Sequence, residues 1–230
     1  MDIMIIGIIV AMDKEFVRLK ALLDNLKTER HNNIEFALGD IAGKTVVLQK
    51  CGIGKVNSAI CAVELINNFS PNLVVSTGVA GGIDVEMNVT DVVVGTSYCY
   101  HDVYCGNECS YGQVQGMPLL FDTPDDIVKK AVALSGNIRV WSGQIVSGDW
   151  FVDNREKMKT IIANFPDAKV VDMESCSIAQ TCHVYGVPFV SFRIISDIPL
   201  KDNNASHYID FWTRLADSSF DITRRFIECI

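Results

Sequence analysis

The chain has no Cys-x-x-Cys pair, although eight cysteines are spread over its 230 residues. Several lie inside apolar runs, Cys61 in AICAVEL and Cys182 in AQTCHVYG, where a free thiol behaves as a small hydrophobe. This usage excludes a disulfide scaffold and leads us to expect a reduced, cytoplasmic protein. Histidine is scarce, four in all. One of them, His101, precedes Cys105 and Cys109 at intervals of four. Gly106, Asn107 and Gly112 make that stretch a loop, so the spacing has no helical meaning and no metal is expected. Positive charge is in deficit, with 20 Lys and Arg against 28 Asp and Glu and a net charge of -8, which argues against a nucleic-acid partner. No apolar run is long enough to span a bilayer. The opening MDIMIIGIIVAM is ended by Asp13-Lys14-Glu15; nothing positive precedes it and no small-residue cleavage site follows. A buried strand is expected there, with neither a targeting segment nor a membrane contact. There are only six prolines, and no Pro/Gly/Ser linker or internal repeat divides the chain, so one domain over residues 1–230 is expected. What the chain has in abundance is apolar residues, 49% of the total, ample for a core at this length and contrary to disorder.

Short β-branched runs alternate with amphipathic stretches. Strands are predicted at Ile3–Val10, Ile34–Leu38, Thr45–Gln49, Leu73–Ser76, Asp91–Val94, Gln144–Val146, Lys169–Val171 and Phe189–Ile194. Several are unbroken Val/Ile runs, as in strands covered on both faces. Ile34, Phe36 and Leu38 instead alternate with polar residues before a Gly39-Asp40…Gly43 turn, which predicts an antiparallel hairpin and hence a mixed sheet. Phe16, Leu19, Leu22, Leu23 and Leu26 mark a helix from about Lys14. Further helices are predicted over Val56–Phe69, after Thr123-Pro124, from an Asp153 cap to Asn164, over Glu174–Tyr185 and from Tyr208 to Ile230. The fold class is α/β.

Two phosphate-loop likenesses fail on context. Gly39…Gly43-Lys44-Thr45 has its first glycine one residue too close and is followed by a strand, where a Walker loop needs a helix. Gly52-Ile53-Gly54 enters a helix but has Asn57 where a dinucleotide fingerprint needs its third glycine. Thr77-Gly78-Val79-Ala80-Gly81-Gly82 is more informative. It sits at the carboxyl end of the Leu73–Ser76 strand, where α/β ligand sites form, though a tight turn would also account for its glycines. Acidic residues recur at similar places: Glu15 past the first strand, Glu174 after Val170-Val171-Asp172-Met173, and Asp197 closing Val190–Ile195. A carboxylate in a helix's first turn is favoured anyway. Three at equivalent strand ends nevertheless converge on one crevice. Such carboxylates beside a sugar suggest glycosidic-bond chemistry, one protonating the leaving group and another handling water or the cation.

Six blocks, in order, resemble the signatures of the 5′-methylthioadenosine/S-adenosylhomocysteine nucleosidases of the nucleoside phosphorylase superfamily. They are Ala11-Met12-Asp13-Lys14-Glu15, Gly52-Ile53-Gly54-Lys55-Val56-Asn57, Thr77–Gly82, Val146-Ser147-Gly148-Asp149, Met173-Glu174 and Arg193-Ile194-Ile195-Ser196-Asp197. The resemblance implies an α/β sandwich with a central mixed sheet flanked by helices. It also implies a homodimer and cleavage of the N-glycosidic bond of adenine nucleosides without a cofactor. By position, Asp197 is then the acid at adenine N7, Ser196 orients it, and Glu174 binds the ribose hydroxyls and offsets the oxocarbenium charge. Glu15 activates water with Arg193 nearby. Met12, Val79, Ala80 and Gly81 belong to blocks that line the substrate site. Met173 packs on the ribose, Phe151 stacks on adenine, Val152 makes a backbone contact to the base, and Ile53 and Tyr208 line the 5′ pocket. The 101–118 segment reaches the partner's 5′ pocket.

There are departures. Val79 stands where some members have serine, Trp150 where a small residue is common, and Cys105 and Cys109 alter the middle of the 101–118 segment. Asp13 and Lys14 replace acidic neighbours of Glu15 and are expected to face solvent. The competing readings are a phosphate-dependent nucleoside phosphorylase, an aminodeoxyfutalosine nucleosidase of menaquinone synthesis, and a nucleoside-binding protein on the same fold. Glu15 would repel phosphate, and the joint presence of Glu15, Glu174 and Asp197 argues against mere binding.

Overall fold

The β-branched runs form the strands in a computed structural model of the chain, which describes residues 4–136, 138–201, 211 and 218–230. The first part of the chain holds β1 (Ile5–Val10), α1 (Asp13–Lys20), β2 (Asp24–His31), β3 (Ile34–Ile41), β4 (Lys44–Lys50), α2 (Lys55–Phe69), β5 (Leu73–Gly82) and β6 (Val92–Tyr100). Then come β7 (Phe121–Asp122), α3 (Asp125–Val132), β8 (Val140–Ser147), α4 (Arg155–Asn164), β9 (Ala168–Asp172), α5 (Ser175–Tyr185), β10 (Phe189–Asp197) and α6 (Ser218–Cys229).

The strands make one sheet in the order β10-β6-β8-β9-β5-β1-β4-β3-β2, with β7 beside β6. Because β10 also pairs with β5, the strands β5, β10, β6, β8 and β9 close a ring. The sheet is mixed, as expected: β1 runs parallel to β4 and β5, while β2, β3 and β4 form an antiparallel meander. β5 is the strand on which the ring turns. Its first residues, Leu73–Ser76, pair with β1, and its last, Gly81 and Gly82, pair with β9 on the same edge. Its other edge follows β10 throughout.

Helices cover the sheet on both faces. Leu19 of α1, Ala131 of α3 and Phe220, Ile222, Phe226 and Ile227 of α6 pack with Ile6, Ile8, Val46, Leu48 and Phe192. Cys61, Ala62 and Leu65 of α2 and Ile178, Ala179 and Cys182 of α5 pack on the opposite face with Ile9, Val47 and Val74. Met158 and Ile161 of α4 cover Cys99, Val146 and Val171. Burying each of the larger side chains among these, the Leu, Ile, Val, Phe and Met, stabilises the fold by about 1.5–3 kcal/mol before entropy is counted. This two-sided burial is why β1 reads as an unbroken apolar run.

Four expectations need correction. α1 ends at Lys20 rather than continuing to Leu26; the residues after it enter β2, and Leu26 is 45% exposed on that strand. β2, DNLKTERH, lies at the sheet edge with one neighbour, so its polar side chains meet water and apolar periodicity gives no signal. Thr77–Gly82 is not a turn but the second half of β5. The cap of α4 is Asn154, whose side chain accepts from the Lys157 N–H, and not Asp153. The helix expected to start at Tyr208 falls partly outside the described residues; within them it is α6. The Walker-like stretch is the β3–β4 hairpin, with Ala42 and Gly43 at φ 50° and 76° as a primed turn requires.

Candidate active site

At the carboxyl ends of β1, β5, β9 and β10 a cleft of about 710 Å³, counted to its open mouth, brings together every predicted site residue that the structure describes. Met12 and Glu15 come from the start of α1, and Ile53 from the turn before α2. Val79, Ala80 and Gly81 come from β5, and Phe151 and Val152 from the loop after β8. Met173 and Glu174 lie between β9 and α5, and Arg193, Ser196 and Asp197 on β10. Tyr208 lies outside the described residues. Asp13 and Lys14 are exposed, as expected.

Local backbone geometry explains the convergence. Along a regular strand Arg193 and Ser196 point to opposite faces. The β10–β5 register slips between Ile195 and Asp197, and this bulge lets Arg193, Ser196 and Asp197 all line the cleft. The Ser196 hydroxyl lies 2.7 Å from Asp197 Oδ1 and 3.2 Å from the Ala80 carbonyl oxygen. It is thus placed between the Asp197 carboxyl and β5. Gly78 faces Glu15, and a methyl there would lie 2.8 Å from Glu15 Oε1 and 3.1 Å from Arg193 Nη1. Only glycine leaves room for both.

Glu15 is 1% exposed. Its Oε2 accepts from the N–H groups of Ala11 (3.1 Å) and Met12 (2.9 Å), and its Oε1 from that of Val79 (3.1 Å). The contact from position 79 is made by the backbone, so valine in place of serine leaves it intact. Burial raises the Glu15 pKa above the usual carboxylate value, against the Met12 N–H, the Arg193 charge and the other two N–H groups. Glu174 Oε1 accepts from the Gly54 N–H at 3.0 Å, and its Oε2 is 3.9 Å from Arg193 Nη2. Burial, then the charge of Asp172, pushes the Glu174 pKa up to about 7.

Asp172 was missed as a site residue, although it stands two places before Glu174. It accepts from Arg193 Nε (2.6 Å), from Ser147 Oγ (2.5 Å) and from the hydroxyl of Ser175. Arg193 also donates to Ser76 Oγ at 3.0 Å. Burial acts to lower the Arg193 pKa, but the facing carboxylates of Asp172, Glu174 and Glu15 outweigh it and hold the guanidinium charged. Ala11, Gly78, Trp150 and Val171 also line the cleft. Trp150 packs edge-on against His101, with ring centroids 5.4 Å apart. The cleft is thus an apolar slot with a buried acid cluster at its floor and exposed aromatics, Trp150 and Phe151, at its mouth.

The family model of the phosphorylase superfamily matches residues 5–228. The 5′-methylthioadenosine/S-adenosylhomocysteine nucleosidase of Desulfotalea psychrophila is 37% identical over 228 residues, 97% of each chain. The chain belongs to this nucleosidase family. Solved members superpose closely. The Colwellia psychrerythraea nucleosidase in complex with adenine has a TM-score of 0.91 at 34% identity, covering 98% of this chain and 95% of its own. The Neisseria meningitidis nucleosidase in complex with methylthio-immucillin-A has a TM-score of 0.92 at 32% identity, covering 98% and 99%. The nucleoside phosphorylase-like sandwich expected from the motifs is the fold observed. No helix among the described residues is long and apolar enough to cross a membrane.

Proposed function

We propose that this chain hydrolyses the N-glycosidic bond of 5′-methylthioadenosine and S-adenosylhomocysteine, and of 5′-deoxyadenosine, releasing adenine and the 5′-substituted ribose. The observation that carries the reading is the convergence of Glu15, Glu174 and Asp197 on one cleft. Arg193 is the only cation among the described residues lining that cleft, and it is already engaged by Asp172 and Ser76. A phosphorylase needs a free cation for phosphate. The Glu15 carboxylate lining this cleft would instead repel a phosphate anion.

In this reading the C1′–N9 bond breaks and its electron pair passes into the adenine ring, while Asp197 delivers a proton to N7. Adenine leaves poorly as an anion, so this donor is required. The ribosyl cation that remains is stabilised by Glu174 in its ionised form, which also accepts from the ribose hydroxyls. Water adds at C1′ and gives its proton to Glu15, whose raised pKa suits it to that task. Ser196 orients the acid, Met173 packs on the sugar, and Phe151, 58% exposed at the mouth, offers its face to the base.

We read the working form as a homodimer. Val56 and Ile60 of α2 and Val184 and Tyr185 of α5 are exposed apolar side chains, and a groove between these helices and the 103–114 loop suits a second copy. The eight unpaired thiols suit a reducing, cytoplasmic setting. The test is adenine release from methylthioadenosine in phosphate-free buffer and with added phosphate. Equal rates and a free ribosyl product are expected. Accumulation of a sugar 1-phosphate would instead establish a phosphorylase.

A further inference from the structure

Two segments that furnish the cleft, the turn before α2 and the loop after β8, are joined to the loop after β6 by a ring of charged contacts outside it. Lys55, the first residue of α2, places Nζ 2.8 and 2.7 Å from the two carboxylate oxygens of Asp102, in the loop after β6. The Asp149 N–H, in the loop after β8, donates to Asp102 Oδ2 at 2.9 Å. The Lys55 N–H donates in turn to Asp149 Oδ1 at 2.9 Å, which closes the ring. Packing enforces the same approach, since a methyl at Gly148 would overlap His101 and lie 2.7 Å from Asp102 Cγ.

Such a ring is a poor device for stability alone. The Asp102 side chain is 8% exposed and that of Lys55 24%, so both are substantially desolvated, and a well-packed apolar pair often serves a fold as well. Its position is more telling. One residue before Lys55, the Gly54 N–H holds Glu174 Oε1. Directly after Asp149 come Trp150 and Phe151, the aromatic mouth of the cleft. His101, next to Asp102, packs its ring on Trp150.

We propose that Lys55, Asp102 and Asp149 form a positioning latch that sets the base-stacking loop and the ribose carboxylate in one register. None of the three touches the reacting atoms. The latch acts through Gly54 on Glu174 and through residues 150–151 on the base. It rests on the reading of the cleft as a nucleosidase site.

The test compares wild type with Lys55→Met, Asp102→Asn and the double variant. Adenine binding is measured by calorimetry and adenine release from methylthioadenosine by steady-state kinetics. Each single variant should bind adenine at least about fivefold more weakly and lose at least about tenfold in kcat/KM, with KM taking the larger share, because the base stack is already made in the ground state. Glu174 would lose its Gly54 donor while Asp172, Arg193 and Glu15 still face it. The acidic limb of the kcat/KM profile should therefore move upward by about half to one pH unit. The double variant should lose little more than the worse single, because the ring acts as a unit.

Adenine affinity and kcat/KM within threefold of wild type in both single variants would overturn the latch. So would additive losses with an unmoved acidic limb, which would mark a merely loosened fold. Asp102→Asn is isosteric and keeps the comparison open if Lys55→Met folds poorly. If wild type binds adenine without releasing it from substrate, the nucleosidase reading fails and the binding arm still decides the latch. If wild type binds no adenine, both fall.

Discussion

Glu174→Gln should change how the stability of the unliganded protein depends on pH. The folded environment raises this carboxyl from about 4.5 to about 7, chiefly by burial and then by Asp172. A carboxyl whose pKa is raised on folding binds its proton more tightly in the native state. Its contribution is therefore complete below pH ~4.5 and is lost as pH rises through 7. Integrating over that window gives about 2.5 kcal/mol lost between pH 5 and 8, or roughly 5–10 °C in Tm for a chain of this size. A glutamine cannot titrate and should not show the loss. His101 works in the opposite direction, since burial lowers its pKa and its contribution is lost as pH falls. That term is common to both proteins and cancels in their difference. Burial raises the Glu15 pKa as well, and that term too is present in both proteins. The assay is thermal melting of wild type and Glu174→Gln in matched ionic strength at half-unit steps from pH 5 to 8. The wild-type curve should fall relative to the variant as pH rises. Parallel curves would refute the reasoning, and with it the picture of Glu174 as a carboxyl strained by its neighbours.

Other expectations concern turnover. Asp197→Asn should still bind adenine but lose about 10²–10⁴ in kcat, because an amide can bond N7 yet cannot hand over a proton; retention of more than a tenth of the rate would remove Asp197 from the role of acid. Gly78→Ala should push Glu15 and Arg193 apart and lower kcat at least about tenfold, while circular dichroism stays native; an unchanged kcat would show that the Glu15 position is not critical. Methylthioadenosine should exceed adenosine by roughly 10–200-fold in kcat/KM, because the mouth around Ile53 and Phe151 is apolar; a ratio near one would mean that the 5′ group is not read there.

The strands that carry the site were legible because they are covered on both faces, so Ile5–Val10, Leu73–Val75 and Phe189–Ile195 stand out as largely apolar runs, the last broken only by Ser191 and Arg193. The acids were legible because each closes or follows such a run, and the order of the motif blocks pointed to the family. What escaped has physical causes. β2 is held by backbone pairing at an edge, and its polar side chains look like the tail of a helix. Gly78, Gly81 and Gly82 suggest a turn when read alone, but here they thin a continuing strand so that Glu15 and the neighbouring strands can approach. Asp172 looked like part of a strand end, and its partners Arg193, Ser147 and Ser175 come together only in three dimensions.

The closed strand circuit has a consequence for how the chain acquires activity. β5 is made early, yet its final residues are completed by β9 and β10, about ninety to over a hundred residues later in the sequence. Until those strands dock, Val79 can meet Glu15, but Glu174, Arg193 and Asp197 have no fixed place beside them. Contacts this distant close slowly, because the intervening loop entropy is lost before they form. A growing chain therefore exposes the unpaired edge of β5 through about half of its synthesis, and it gains its chemistry all at once when the last strand is seated. Partial products ending before Phe189 would be both inactive and prone to adhere through that open edge.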